Sequence, residues 1–342
     1  MNFRTGLCVL ACLLAPALRA QIAAGSDPVG ILSYDVPLGL SGLSLPLIPQ
    51  EIIAAPVVAN AGSVLTLAAA AGNVGAQLQS GAAYYVEILS GPSAGERFEV
   101  DTAATITTAN ATVVLVLGGA SHSTAQPVDH ALVGARAAVR AGVTLETLAA
   151  QFSPALTGSD DPALADGVRL YGAEGFTSYY LRADGASWAT LNNPADQRTL
   201  VLPPDVSLVL DLKSAPRQLV QLGGVRTNVF RVNLRAGYQA FATGFPVDLT
   251  PAQVAAVVDI NQPASARWTA ANDAAAADNL EILDLPARSF LRYYLRADGR
   301  SWRRLGQTTD FADLPLLRTD SIIIVRRTLA DATYRIAPPF SL

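Results

Sequence analysis

One decapeptide occurs twice. Tyr179-Tyr180-Leu181-Arg182-Ala183-Asp184-Gly185-Ala186-Ser187-Trp188 returns as Tyr293-Tyr294-Leu295-Arg296-Ala297-Asp298-Gly299-Arg300-Ser301-Trp302, with nine of ten positions identical at an offset of 114. Upstream, Asp161-Pro162-Ala163-Leu164-Ala165-Asp166 is answered by Asp273-Ala274-Ala275-Ala276-Ala277-Asp278. Downstream, Asp205-Val206-Ser207-Leu208-Val209-Leu210 is answered by Asp320-Ser321-Ile322-Ile323-Ile324-Val325. Three blocks in the same order require one supersecondary unit to be built twice. The blocks divide the chain into related modules over 136–245 and 246–342, preceded by a different unit over 21–135.

The decapeptide reads as a hairpin. Asp-Gly between apolar runs predicts a two-residue type I′ loop, which places Leu181 across from Trp188 and Arg182 across from Ser187. In the second copy Leu295 faces Trp302 and Arg296 faces Ser301. Side-chain period two turns the Leu–Trp pair inward as core. The same residues carry a functional alternative. If the indoles are exposed, Tyr179 with Trp188 and Tyr293 with Trp302 form aromatic platforms for sugar rings.

Elsewhere alternation predicts strands over 64–68, 84–88, 97–100, 111–117, 199–202, 207–212, 229–234 and 321–326. On the hairpin around 84–100, Val86, Ile88, Phe98 and Val100 share one face, and Glu87, Arg97 and Glu99 the other. Helices are few and short. Thr250-Pro251-Ala252-Gln253 is a capping box with proline at the first helical position, and Leu145, Leu148 and Phe152 follow helical spacing after Thr144. Asp161-Pro162 suits a single capped turn. A faint V-x-L…P rhythm links residues 35–46 with 232–246, too loose to count as a third repeat. The fold expected is mainly β, sandwich- or barrel-like: an N-terminal β unit, then two related β modules with a few short helices.

The first twenty residues read as an address. A basic start at Arg4 precedes an apolar run from Gly6 to Leu18, ending in Ala17-Leu18-Arg19-Ala20. A run of about thirteen residues suits a signal peptide and falls short of the ~20 that cross a bilayer. Cleavage is placed near Ala20, with Ala15-Pro16-Ala17 a competing site. Val9-Leu10-Ala11-Cys12 only loosely fits a lipoprotein box, because the apolar run continues beyond Cys12. Removal takes away Cys8 and Cys12, the only cysteines, and two arginines, moving the net charge from −4 to −6. The mature chain then has no disulfide and no thiol chemistry. Its acidity argues against a nucleic-acid partner. At 51% hydrophobic and 15% charged residues, it has the material for a packed core rather than a disordered chain.

Asp27-Pro28-Val29-Gly30, the Tyr-Val-Glu-Ile-x-Ser-Gly-x-x-Ala-Gly hairpin over 85–95, the Asp-x4-Asp stretch before Tyr-Tyr…Trp, and Gly237-Tyr238 to Phe245-Pro246 occur here in that order. Together they resemble an uncharacterised family of exported bacterial β-rich proteins, over most of residues 27–250. The resemblance implies export and a β-rich build, and it transfers no activity and no catalytic residue.

Gly91-Pro92-Ser93-Ala94-Gly95 fits the G-x-S-x-G nucleophile elbow of serine hydrolases, which requires a helix after the serine. Here the alternation of Glu96-Arg97-Phe98-Glu99-Val100 predicts a strand instead. A triad base would have to be His122 or His130, the only histidines, with Asp101 between them and Ser93. A zinc site would need Asp129 beside those histidines. Lys213 is the sole lysine, which leaves little for Schiff-base or phosphate-loop chemistry. Asp160, Asp161 and Asp166 could supply oxygen ligands to calcium, although capping explains the acids more simply. The expectation is an exported, non-enzymatic structural or interaction protein of the periplasm, outer surface or exterior. Its partner would be an envelope protein or a polysaccharide. The second reading is carbohydrate binding through the repeated hairpins, and serine hydrolysis is third.

Overall fold

A computed structural model of the chain describes residues 28–116, 132–172, 175–255, 268–328 and 332–340. It is mainly β, with 43% strand and 7% helix in several antiparallel sheets. The leader over 1–20, Asp129, His122 and His130 lie outside the described residues. No described helix is long and apolar enough to cross a membrane.

The chain opens with β1 (Val29–Val36) and β2 (Gly39–Leu43), then leaves to build a separate unit. That unit comprises β3 (Glu51–Ala61), β4 (Val64–Leu67), β5 (Tyr84–Ile88), β6 (Arg97–Glu99), β7 (Thr112–Val114) and β8 (Arg136–Ala141). They form one six-stranded sheet in the order β6-β5-β8-β3-β4-β7. Val57, Leu65, Val86, Ile88, Phe98 and Val139 are among the side chains closing its core. The chain then returns through the helix Leu145–Ala149 and β9 (Phe152–Ser153). There follow β10 (Gly167–Gly172), β11 (Gly175–Leu181), β12 (Trp188–Thr190), β13 (Leu208–Leu212) and β14 (Arg217–Gly224). The last part holds β15 (Phe230–Leu234), β16 (Gly237–Phe241), the helix Pro251–Ala255, β17 (Asn279–Asp284), β18 (Ser289–Leu295), β19 (Trp302–Arg304), β20 (Ile323–Arg327) and β21 (Ala332–Ile336).

The pairings redraw the module boundaries expected at 135/136 and 245/246. One five-stranded sheet runs β12-β11-β10-β13-β2, and its counterpart runs β19-β18-β17-β20-β16. β1 pairs with β14 as β15 pairs with β21. The first module therefore begins at β1 and encloses the six-stranded unit as an insertion between β2 and the helix at 145. β8, at the expected start of the first module, belongs to the insertion. The second module begins at β15. β2 and β16 hold matching places, but the faint V-x-L rhythm is out of their register, since Val36 stands where Leu234 does.

Local chemistry explains why both copies fold alike. Thr144 and Thr147 form a reciprocal capping box, and Thr250 and Gln253 form the same device at Pro251. Each satisfies helix-end N–H groups that would otherwise lack partners. The Asp-Gly hairpins have the expected register, with Leu181 opposite Trp188 and Leu295 opposite Trp302. The turn is not type I′, which needs two positive φ angles. Only Gly185 and Gly299 take positive φ, both at 69°. Each glycine N–H closes a turn onto the carbonyl of Arg182 or Arg296. Asp184 Oδ1 accepts the N–H groups of Ala186 and Ser187, and its Oδ2 accepts the Ser187 hydroxyl. Asp298 repeats all three bonds with Arg300 and Ser301. A carboxylate fixes the turn where a second left-handed residue was expected. The strand expected over 199–202 is also absent, its only ladder contact being the Thr144–Val201 bridge.

The units meet over buried charge. Glu87 accepts from Arg226, lies 3.2 Å from the Arg140 Nε, and has no exposed side-chain surface. Arg97 pairs with Asp205 at 3.3 Å, and the Arg97 and Arg226 guanidinium groups lie 4.5 and 4.7 Å from the Phe230 ring centre. Burial pulls Arg226 down to about 10, which leaves it charged at neutral pH. The modules also touch directly, Ser44 N–H donating to the Thr319 carbonyl and Ala242 N–H to that of Asp205, both at 2.8 Å.

Candidate functional site

The sheet of the first module presents a cleft of about 410 Å³ on the side away from its core. That volume lies within the roughly 300–1,000 Å³ range of small-molecule sites. Gly167 and Arg169 of β10, Ser178 and Tyr180 of β11, and Asp211 of β13 form its floor, with Lys213 just beyond the end of β13. The turn Asp161-Pro162-Ala163 and the exposed Leu191 form its rim.

Gly167 is required by close backbone approach, because a Cβ there would lie 2.7 Å from the Tyr179 carbonyl oxygen. Beside it, Asp211 accepts from Arg169 and from the Lys213 ammonium, the latter at 2.8 Å. Burial raises the Asp211 pKa, but the hydrogen bonds from Lys213 and Arg169 outweigh it and leave the pKa below the usual carboxylate value. Two cations thus share one carboxylate, and the floor carries one net positive charge. Both cationic side chains remain about one-third exposed.

The second module fills the matching space with its own atoms. Strand pairing aligns Asn279 with Gly167, Glu281 with Arg169, Tyr294 with Tyr180 and Arg326 with Asp211. The Asn279 amide donates to the carbonyls of Ala274 and Ala277 at 3.1 and 3.2 Å. Arg326 donates to the carbonyls of Ala274 and Ala275 at 3.2 and 2.9 Å. Tyr294 is buried against Ala274 and Ala277, whereas Tyr180 is only half-buried.

The residues singled out in the sequence have different places. Trp188 and Trp302 are 1% and 0% exposed, packed in the two module cores. Neither offers a face to a sugar ring, and the platform reading of the hairpins is corrected on that ground. Tyr293 is buried too, while Tyr179 is half-buried, packing on the core and reaching the cleft lining.

Asp160, Asp161 and Asp166 do not converge as calcium ligands. Asp160 is exposed and bonded to Arg182 at 2.8 Å, a contact that lowers its pKa. Asp161 caps the Ala163 N–H at 2.9 Å, as Asp273 caps that of Ala275. Asp166 is fully buried, accepts the N–H groups of Thr157 and Lys213 at 2.8 and 2.7 Å, and lies 3.6 Å from Arg217. Asp278 repeats this with Thr269, Thr328 and Arg327. These acids cap and pin loops. Among the described residues no group of three His, Cys, Asp or Glu could hold a metal ion.

Ser93 lies in the β5–β6 turn and is followed by a strand, not the helix of a nucleophile elbow. Asp101 caps the Ala104 N–H at 2.9 Å. Gly95 is required by packing, since a Cβ would come 2.5 Å from the Val229 carbonyl oxygen. The cleft residues Gly167, Arg169 and Asp211 escaped the motif search because motifs look for identity between repeats. Their signal is divergence at matched positions.

No family model, no curated relative and no solved structure matches the chain.

Proposed function

We propose that the protein is an exported, non-enzymatic interaction protein of the cell envelope or exterior, with the cleft of the first module as its contact site. One observation carries this reading: of two matched clefts, Asn279 and Arg326 plug one and the other is open. Duplication supplies a frame twice, and divergence at the floor leaves one copy free to engage a partner. The recurring acids, which could otherwise be taken for catalytic groups, cap turns and pin buried loops. The basic-apolar leader over 1–20 and the absence of cysteine after it support export.

The experiment exchanges the floor charges for those of the second module, as Arg169→Glu with Asp211→Arg. Cell fractionation with N-terminal sequencing should find the chain outside the cytoplasm, starting near residue 21. Isolated envelope should retain the purified mature protein and lose the double variant. A cytoplasmic full-length chain, or equal retention of both proteins, overturns the proposal, as does turnover of any substrate abolished by one polar substitution.

A further inference from the structure

Resting on that reading, we infer that the open cleft binds an acidic saccharide, its carboxylate on Arg169 and Lys213 and its ring beside Tyr180. The plugged copy shows what such a cleft accepts. There the guanidinium of Arg326 donates to the carbonyls of Ala274 and Ala275 on the capped turn. The matching carbonyls in the open copy belong to Pro162 and Ala163, on the rim of the cleft. A ligand there gains by presenting hydrogen-bond donors to the turn. On the opposite side, the floor presents the donors of Arg169 and Lys213 with one net positive charge. The guanidinium fork favours a planar carboxylate, and a lysine adds a point charge.

Between these two sides, the half-buried Tyr180 stands opposite Gly167 and lines the cleft. Tyrosine offers an apolar face and a polar edge in one side chain. Asp161, at the rim, accepts the Ala163 N–H on Oδ1 and is an acceptor-only group suited to a ligand's hydroxyl donors, its negative charge offsetting the floor's positive charge. A ring with hydroxyls on one edge and a carboxylate on the other meets all of these groups together. A bare phosphate reaches only the cations, and a neutral sugar offers them no carboxylate.

The test is calorimetric titration of the mature protein with trigalacturonate, uncharged galactotriose and inorganic phosphate. Trigalacturonate should bind one site per chain at least tenfold more tightly than either comparator. Lys213→Gln should weaken it about tenfold, and Arg169→Glu with Asp211→Arg should abolish it. Tyr180→Ala should weaken trigalacturonate while leaving any phosphate binding unchanged. Thermal melting checks that each variant is folded, and Lys213→Gln, a change at a part-exposed ammonium, keeps the test readable should the double variant unfold. No trigalacturonate binding, equal galactotriose binding, phosphate binding as tight, or two sites per chain each overturn the inference. Envelope retention lost in the double variant without trigalacturonate binding would leave the proposed function standing and the ligand wrong.

Discussion

The two modules share a frame and differ in what they do with its outer surfaces. In the second, Arg231 of β15 donates to the carbonyls of Pro92 and Ala94 and to Glu96, while Arg335 of β21 also donates to Pro92. That face holds the inserted unit by its β5–β6 turn. In the first module Ser33 and Val220 stand where Arg231 and Arg335 stand, and the surrounding face exposes Val29, Ile31 and Leu222. The sheets repeat the contrast: one floor is plugged by Asn279 and Arg326, the other is open over Gly167. Core and turn chemistry has been kept in both copies, while surface chemistry has been reassigned face by face.

The largest effects should be shared by the copies. Trp188→Ala and Trp302→Ala should each cost about 3–5 kcal/mol in urea unfolding, as large-to-small changes in packed cores do. A cost below about 1 kcal/mol in one copy would break the equivalence of the cores. Next, Arg231→Ala should cost roughly 3 kcal/mol, because it removes a buried ion pair with Glu96 and the side-chain donor to the Ala94 carbonyl, while Pro92 keeps Arg335. Leu222→Lys, on the bare face of the first module, should stay within about 0.5 kcal/mol. Comparable costs at these two positions would show that both faces are covered. Between these extremes, Asp166→Asn and Asp278→Asn should each lose roughly 1.5–3 kcal/mol, the scale of hydrogen bonds to a charged group.

The smallest effect is in acid. Hydrogen bonds led by the Ser187 and Ser301 hydroxyls hold Asp184 and Asp298 down to about 2. Their unfolded values are near 3.9, so the stability they lend is complete above about pH 4 and lost as pH falls towards 2. Asp184→Asn with Asp298→Asn should flatten the melting temperature across that window, lowering it above about pH 4 and leaving it nearly unchanged near pH 2. An unaltered acid slope would separate the turn bonds from stability.

Sequence made the hairpins legible because their determinants are local. Period-two alternation set the Leu181–Trp188 register, and Asp-Gly set the turn, although a carboxylate replaced the second left-handed residue. The module boundaries were not legible, since β2 finds β13 only across the whole insertion and no local pattern encodes that pairing. Glu87 and Arg97 were correctly placed together on one face. Their burial depends on Arg226, Asp205 and Phe230, which arrive from distant parts of the chain. At the cleft, Asp161 and Tyr179 were picked out for other reasons. Arg169 and Asp211 have no motif; they lie just beyond the matched blocks, and strand pairing confirms that they stand against Glu281 and Arg326.

The insertion also sets a timetable. β1 must wait for β14, which places Val29 beside Gly224, whereas the second module completes its pairings within its own stretch of chain. Distant pairings close slowly because the intervening loop must first surrender its freedom. During synthesis the first module's opening strands emerge earliest and are satisfied late, holding their greasy edges unsheltered while the enclosed unit assembles. The half that keeps its cleft open is therefore also the half whose first strands wait longest for their partners.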